Sequence, residues 1–305
     1  MNTAYAFFAF FIFPGVLYAV PMSWFIEWLQ RRIIARMQNR IGPPLFQPFF
    51  DVVKLLAKEP IPRTRMLGAM MVALPLISIG ATLGALSLLP VFPQIGGFPG
   101  DLVLFVALVE IAPFCLILAG FLSRSLYGGL GAAREAVLML AYNAAFLTAL
   151  FALAVSAHSF SLSTVVLSAP WQVRILALAA IGLSIPAKLH LNPFSAASAE
   201  QEIYVGAATE FDGPRYALLE ISHGLEWVVL AGLWATIAFP VTGVAWPVHV
   251  LAFVAMSLAV VIVVATVAAA TARLKVEQVV KWYWAWGATT ALLALIGALV
   301  WPVVA

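Results

Sequence analysis

The residues with the most chemistry to offer are acids and histidines set in apolar surroundings. Glu220, His223 and Glu226 recur every three residues, so on a helix they share an arc of about 120° over roughly 9 Å of rise. Glu110 stands in the middle of a second apolar stretch and Glu135 near the start of a third. Residues 191–214 read LNPFSAASAEQEIYVGAATEFDGP, which groups Glu200, Glu202, Glu210 and Asp212. Carboxylates at membrane depth are costly unless paired or hydrated, and a set of them points to an ion pathway. For any single acid the competing reading is a structural pair, for example with Arg134. For the acids of 191–214 it is a solvated loop. The set as a whole favours a pathway.

Other chemistries lack the residues they need. Cys115 is the sole cysteine, so this chain alone supplies neither a disulfide framework nor the ligands of an iron–sulfur cluster. His158, His190, His223 and His249 are too far apart in sequence for a heme or zinc spacing. No cofactor or metal is therefore expected on this chain. A net charge of +3, thinly spread, gives no reason to expect nucleic acid.

The elements that must carry these residues are membrane spans. The chain is 64% hydrophobic and 10% charged, against roughly 45–50% and about 25% in soluble domains. A span needs about 20 mostly apolar residues. Such stretches fall near 4–26, 66–90, 101–122, 135–157, 171–190, 215–240, 246–271 and 283–303, the fifth being interrupted by Pro186 and Lys188. The first has no basic residue before it and no cleavage site, and reads as a span rather than a removable signal. No repeat relates the two halves. Lys and Arg collect in the first, third, fifth and seventh connections, and only Arg174 departs from this pattern. Because basic loops are cytoplasmic, both termini are expected outside. The fold class expected is an all-α integral membrane protein of about eight spans, with residues 1–305 forming a single transmembrane domain.

The first connection carries its own pattern. Arg32, Arg36 and Arg40 recur every four residues and share one helix face. After Gly42-Pro43-Pro44, a second stripe of Gln47, Asp51, Lys54 and Lys58 alternates with Phe46, Phe49, Phe50, Val52, Val53, Leu55 and Leu56. This is the pattern of an amphipathic interfacial helix, either resting on lipid or presenting its stripe to a partner.

Three blocks carry a family resemblance. The first is Arg36-Met37-Gln38-Asn39-Arg40-Ile41-Gly42-Pro43 with Gln47-Pro48, Asp51 and Lys54-Leu55-Leu56-Ala57-Lys58-Glu59. The second is Gly131-Ala132-Ala133-Arg134-Glu135. The third runs from Pro193-Phe194 through Glu200-Gln201-Glu202 and Thr209-Glu210-Phe211 to Gly213-Pro214-Arg215-Tyr216-Ala217-Leu218. In this order they resemble subunit 1 of respiratory complex I and its relatives, the membrane anchor subunits of energy-converting (group 4) nickel–iron hydrogenases and formate hydrogenlyases.

The resemblance implies a membrane subunit of a redox-driven ion-translocating complex, moving protons or sodium, in the inner membrane of a prokaryote. Its partners would be hydrogenase-like large and small subunits on the cytoplasmic side, antiporter-like membrane subunits, and the lipid bilayer. The nickel–iron centre and iron–sulfur clusters would lie in those partners. Loops 27–65 and 191–214 would form the partner-facing surface. Arg36, Arg40, Asp51 and Lys54 would face the cytoplasmic arm. Glu200, Glu202 and Glu210 would open the charged route that continues through Glu110, Glu135, Glu220, His223 and Glu226.

Departures from the family pattern favour the hydrogenase-like branch. Only Pro44, Leu45 and Phe46 separate the Gly-Pro and Gln-Pro elements, where complex I members carry a longer insertion. Asn143 replaces a usual glutamate, Ser195 and Ser198 replace acids, and Lys188 stands where complex I members have an acid. A quinone-site subunit of a complex-I-type NADH dehydrogenase is the alternative within the family. A free-standing transporter is the alternative outside it.

Overall fold

The computed structural model describes residues 3–92, 97–198, 206–240 and 245–304. The first apolar stretch is broken rather than continuous. Helix α1 (Thr3–Phe11) ends before Pro14 and Gly15, and α2 (Val16–Met37) restarts and runs well past the expected end of the span at residue 26. Arg32 and Arg36 therefore lie on α2, while Arg40 follows its end, beyond Asn39 in the left-handed conformation (φ 57°). The expected helix face shared by all three arginines stops at Arg36.

Next come α3 (Gln47–Leu56), α4 (Arg65–Leu88), α5 (Asp101–Leu122) and α6 (Leu126–Ser156). A short α7 (Leu162–Ser168), not legible in the sequence, precedes α8 (Trp171–Lys188). A 3₁₀ turn (Gly206–Glu210) leads into α9 (Gly213–Ala238), and α10 (Trp246–Ala270) follows. The last stretch is α11 (Val276–Trp282), a π turn (Tyr283–Gly287) and α12 (Ala288–Val304).

Among the described residues, seven helical stretches are long and apolar enough to cross a membrane. The fifth expected span, 171–190, which forms α8, is not one of them. It is only 18 residues long and carries Arg174 and Lys188. Its polarity is tolerable because its buried face packs on α6, α9 and α12, while Trp171 and Ile175 on its outer face are exposed and apolar. A polar group in a span costs little where neighbouring helices satisfy it.

Close packing comes from small residues. Ala141, Ala145 and Ala149 line one face of α6, and Ala177, Ala180 and Ser184 line α8, all at most 2% exposed. Small residues at such spacing let helix backbones approach, which is how spans associate where apolar burial gives no advantage over lipid. Larger side chains (Tyr142, Phe146, Phe105, Trp227) fill the remaining space.

The connections sort to two ends. Asp212 accepts from the Ile61 backbone N–H at 2.6 Å, Arg215 donates to the Ile61 carbonyl, and Leu274 N–H donates to the Pro193 carbonyl. The first, fifth and seventh connections therefore meet at one end, the basic end. At the other end, Asp101 accepts from Leu162 N–H and Arg174 donates to the Val166 and Ala169 carbonyls. Basic and non-basic loops thus segregate as the charge pattern requires.

The fifth connection, expected as a partner-facing loop, folds inward in its described parts. Leu189, Phe194, Ala196, Ala197 and Ala207 are each at most 5% exposed. The 3₁₀ turn packs against α5 and α6. Gly131 makes this possible, since a Cβ there would lie 2.4 Å from the Ala207 nitrogen. Gly206 holds φ +62° with its Cα side against the Ala197 carbonyl. Non-helical backbone at membrane depth is allowed only where protein or a polar cavity surrounds it.

Candidate functional site

Helix α8 ends inside the bundle. Lys188 is its last residue, and His190 follows in the left-handed conformation (φ 53°), with Leu191 N–H closing the turn onto the Pro186 carbonyl at 2.8 Å. Such a residue after a helix end satisfies orphan carbonyls and turns the chain. In this protein it brings the imidazole of His190 to Glu135 on α6, with Nε2 2.8 Å from Oε2. The other Glu135 oxygen accepts from the Tyr142 hydroxyl at 3.2 Å. The ring of His190 lies parallel to that of His223 on α9, with centroids 6.1 Å apart.

One turn away, the Lys188 ammonium donates to Glu110 Oε1 at 2.6 Å and lies over the faces of Tyr142 (4.9 Å) and Phe146 (4.5 Å). Asn143 donates to Glu110 Oε2 at 2.7 Å. Both carboxylate oxygens of Glu110 are therefore occupied by donors. Glu110 lies about 18 Å along α5 from its basic end, so this pair is deep in the bundle.

These groups border a cavity of about 260 Å³ between the fifth connection and the middle of the bundle. Glu135, Lys188, His190, Glu220, His223 and Glu226 line it, together with apolar Leu74, Leu116 and Phe211. The volume accommodates several waters, and the titratable groups set in its otherwise apolar wall give them hydrogen-bond partners. Among the described residues no hydrogen bond or ion pair reaches Glu226, so its carboxyl faces the cavity unpaired. At the cavity mouth Glu220 lies within electrostatic reach of Glu27 and Arg31 on α2. Arg31 in turn bridges Glu27 and Asp51, which links the α2–α3 surface to the cavity.

The sequence-derived set is thus partly gathered. Glu220, His223 and Glu226 share the cavity with Glu135, and Glu110 sits behind Lys188. Glu210 stands apart, paired with Arg63 at 3.6 Å. Glu200 and Glu202 lie outside the described residues. Arg134 donates to the Ala196 carbonyl, and the partner found for Glu110 is Lys188. Of the surface set, Asp51 accepts from Arg31 and from Gln47 at 2.9 Å each, fastening α3 to α2. Arg36, Arg40 and Lys54 lie on the basic-end surface, all three exposed. Their neighbours Ile41, Phe46 and Phe50 are exposed at 94%, 65% and 57%, a mixed apolar and basic surface.

Sequence reasoning misses Lys188, His190, Tyr142 and Glu27 as site residues. A signal for Lys188 exists, since a lysine ending an apolar helix requires a buried partner. The signal for Glu27 is its four-residue spacing from Arg31. Nothing in the sequence points to the left-handed turn that aims His190.

A family model described as NADH dehydrogenase matches residues 9–299. Hydrogenase-4 component C of Escherichia coli is 31% identical over 219 residues, covering 70% of this chain and 69% of that one. A subunit of the NADH-quinone oxidoreductase of Bordetella petrii is 27% identical over 242 residues, covering 71% and 68%. A chain in the solved structure of the membrane-bound sulfane sulfur reductase, an archaeal respiratory membrane complex, superposes with a TM-score of 0.84 at 26% identity. That match covers 97% of this chain and 99% of the other.

Proposed function

This chain belongs to the NADH dehydrogenase family, the family of complex I subunit 1, and on that premise we propose that it anchors a cytoplasmic redox arm and carries part of an ion pathway. The observation that carries the reading is the cavity, lined by titratable side chains from α6, the α8 end and α9. Titratable groups at this depth are costly, and a set of them gathered round one cavity points to ion exchange rather than to a single structural pair. Water in the cavity and the Glu135–His190–His223 cluster would pass protons between the basic end and the deep Lys188–Glu110 pair. Electron transfer in the arm would drive that passage. The arm proposed is hydrogenase-like, with large and small subunits holding a nickel–iron centre and iron–sulfur clusters, beside antiporter-like membrane subunits. The setting proposed is the inner membrane of a prokaryote.

The short segment between the Gly-Pro and Gln-Pro elements, Asn143, and Lys188 favour this arm over a quinone-reducing one. The test is to purify the complex through a tag on this chain, identify its soluble subunits, and measure ion uptake into vesicles during turnover. Co-purified nickel–iron protein with coupled ion uptake is the expected result. Stoichiometric quinone and no nickel would replace the arm with a quinone-reducing one. A lone chain that moves solute by itself would overturn the reading.

A further inference from the structure

Lys188 has more donors than hydrogen-bond partners, and Glu226 has no such partner among the described residues. One of the three ammonium N–H groups goes to Glu110, and the rest of the ammonium lies against two aromatic faces. Lys188 and Glu226 together line the main cavity and also a gap of about 10 Å³ beneath it, with Thr82 and Pro113. That gap holds no more than about one water, so the lysine forms the floor of the wet space. On the far side Glu110 is fixed by Asn143, so the mobile member of the pair is the lysine, a compact cation on a flexible four-carbon stem.

We propose that Lys188 is a two-position switch, pairing with Glu110 in the present structure and with Glu226 in a second state. This rests on the ion-pathway reading above. In the first state Glu226 is protonated, Lys188 is a cation and Glu110 is a carboxylate. In the second, Glu226 has given its proton to the cavity, Lys188 keeps all three of its protons and moves to the new carboxylate, and Glu110 takes up one proton. One proton leaves and one enters, and the net charge of the three groups stays at zero. A neutral total matters because an uncompensated charge at this depth is costly. The flanking charged and titratable groups are Cys115 on α5, Glu135 and Tyr142 on α6, His190 after α8, and Tyr216, Glu220 and His223 on α9. Tyr142 and Phe146 offer the ammonium a favourable face during the crossing.

The rival is a fixed structural pair, and charge removal separates the two. In the assembled complex in vesicles, Lys188→Met should lower ions moved per electron at least tenfold. The double variant Lys188→Met with Glu110→Gln removes both buried charges. A switch predicts that it stays inactive in transport, whereas a fixed pair predicts that it recovers. Infrared difference spectra of the intact complex on reduction provide a readout that needs no lysine variant. A protonated-carboxyl band that vanishes in Glu110→Gln is expected. Recovery of transport in the double variant, or absence of that band, overturns the switch and removes the Lys188–Glu110 pair from the route, while leaving ion passage through the cavity itself intact. A wild-type complex that moves no ions overturns both.

Discussion

At the end opposite the basic loops, Asp101 is 2% exposed and accepts chiefly backbone N–H groups, from Leu162 (2.5 Å) and Phe98 (3.2 Å), with the non-titrating Ser161 hydroxyl farther off at 3.5 Å. Arg174 in the same half donates to two backbone carbonyls. Between the basic end and the middle of the bundle, Glu110 and Glu135 instead answer side chains (Lys188, Asn143, His190 and Tyr142) brought from other elements, beside a cavity. Backbone partners neither titrate nor move, so charges of the first kind are fastenings. Side-chain partners can do both, so charges of the second kind can exchange. Beyond Glu226 the division sharpens: from Trp227 to Ile237 the buried residues of α9 are apolar apart from Thr236, whose hydroxyl donates to Leu233. Among the described residues the large cavity and its titratable cluster run from the basic end to the middle of the bundle, whereas the gap beside His249 at the opposite end is about 20 Å³.

Four substitutions probe the contrast between the halves. The largest effect on assembly is expected from Asp101→Ala, which strands buried backbone donors at about 1–3 kcal/mol each. The yield of intact complex should fall steeply, while ions moved per electron in surviving complexes stay at the wild-type value. A selective loss of transport would erase the distinction between the halves. Gly131→Val comes next, because its Cβ would press into the 3₁₀ turn, and overpacking of this kind costs about 1–3 kcal/mol. Thermal inactivation should shift downward, and transport should fall severalfold as the wall of the cavity moves.

Asp51→Asn removes a pair whose members are 35% and 42% exposed, worth up to about 1 kcal/mol. Heat stability of the chain should barely change, while dissociation of the soluble arm, followed by size-exclusion chromatography, becomes faster because α3 is loosened from α2. Lys54→Ala is the smallest. An exposed side chain of this kind stays within about 0.5 kcal/mol in stability, and salt-sensitive release of the arm is the only change expected.

The layout is legible in the sequence because it rests on long apolar windows and on where Lys and Arg fall. The Glu220–His223–Glu226 arc is legible for a similar reason, since helical period fixes it. What the sequence hides depends on contacts between elements. Pro14 and Gly15 sit inside a uniformly apolar run, and their break is invisible to hydropathy. Residues 191–198 are polar enough to read as an outer loop, yet Gly131 and Gly206 leave room for the connection to be buried. The pairing of Lys188 with Glu110 joins positions in two separate helices, and only their packing brings them together.

Ion passage through the cavity of the basic half stands or falls with Glu226→Gln, because Gln keeps size and hydrogen bonding but cannot titrate. The measurement is ions moved per electron in vesicles, normalised to assembled complex and run beside wild type. At least a tenfold fall is expected, with electron transfer from the soluble donor still detectable. An unchanged ratio in assembled Glu226→Gln complexes would contradict a role for the cavity in ion passage.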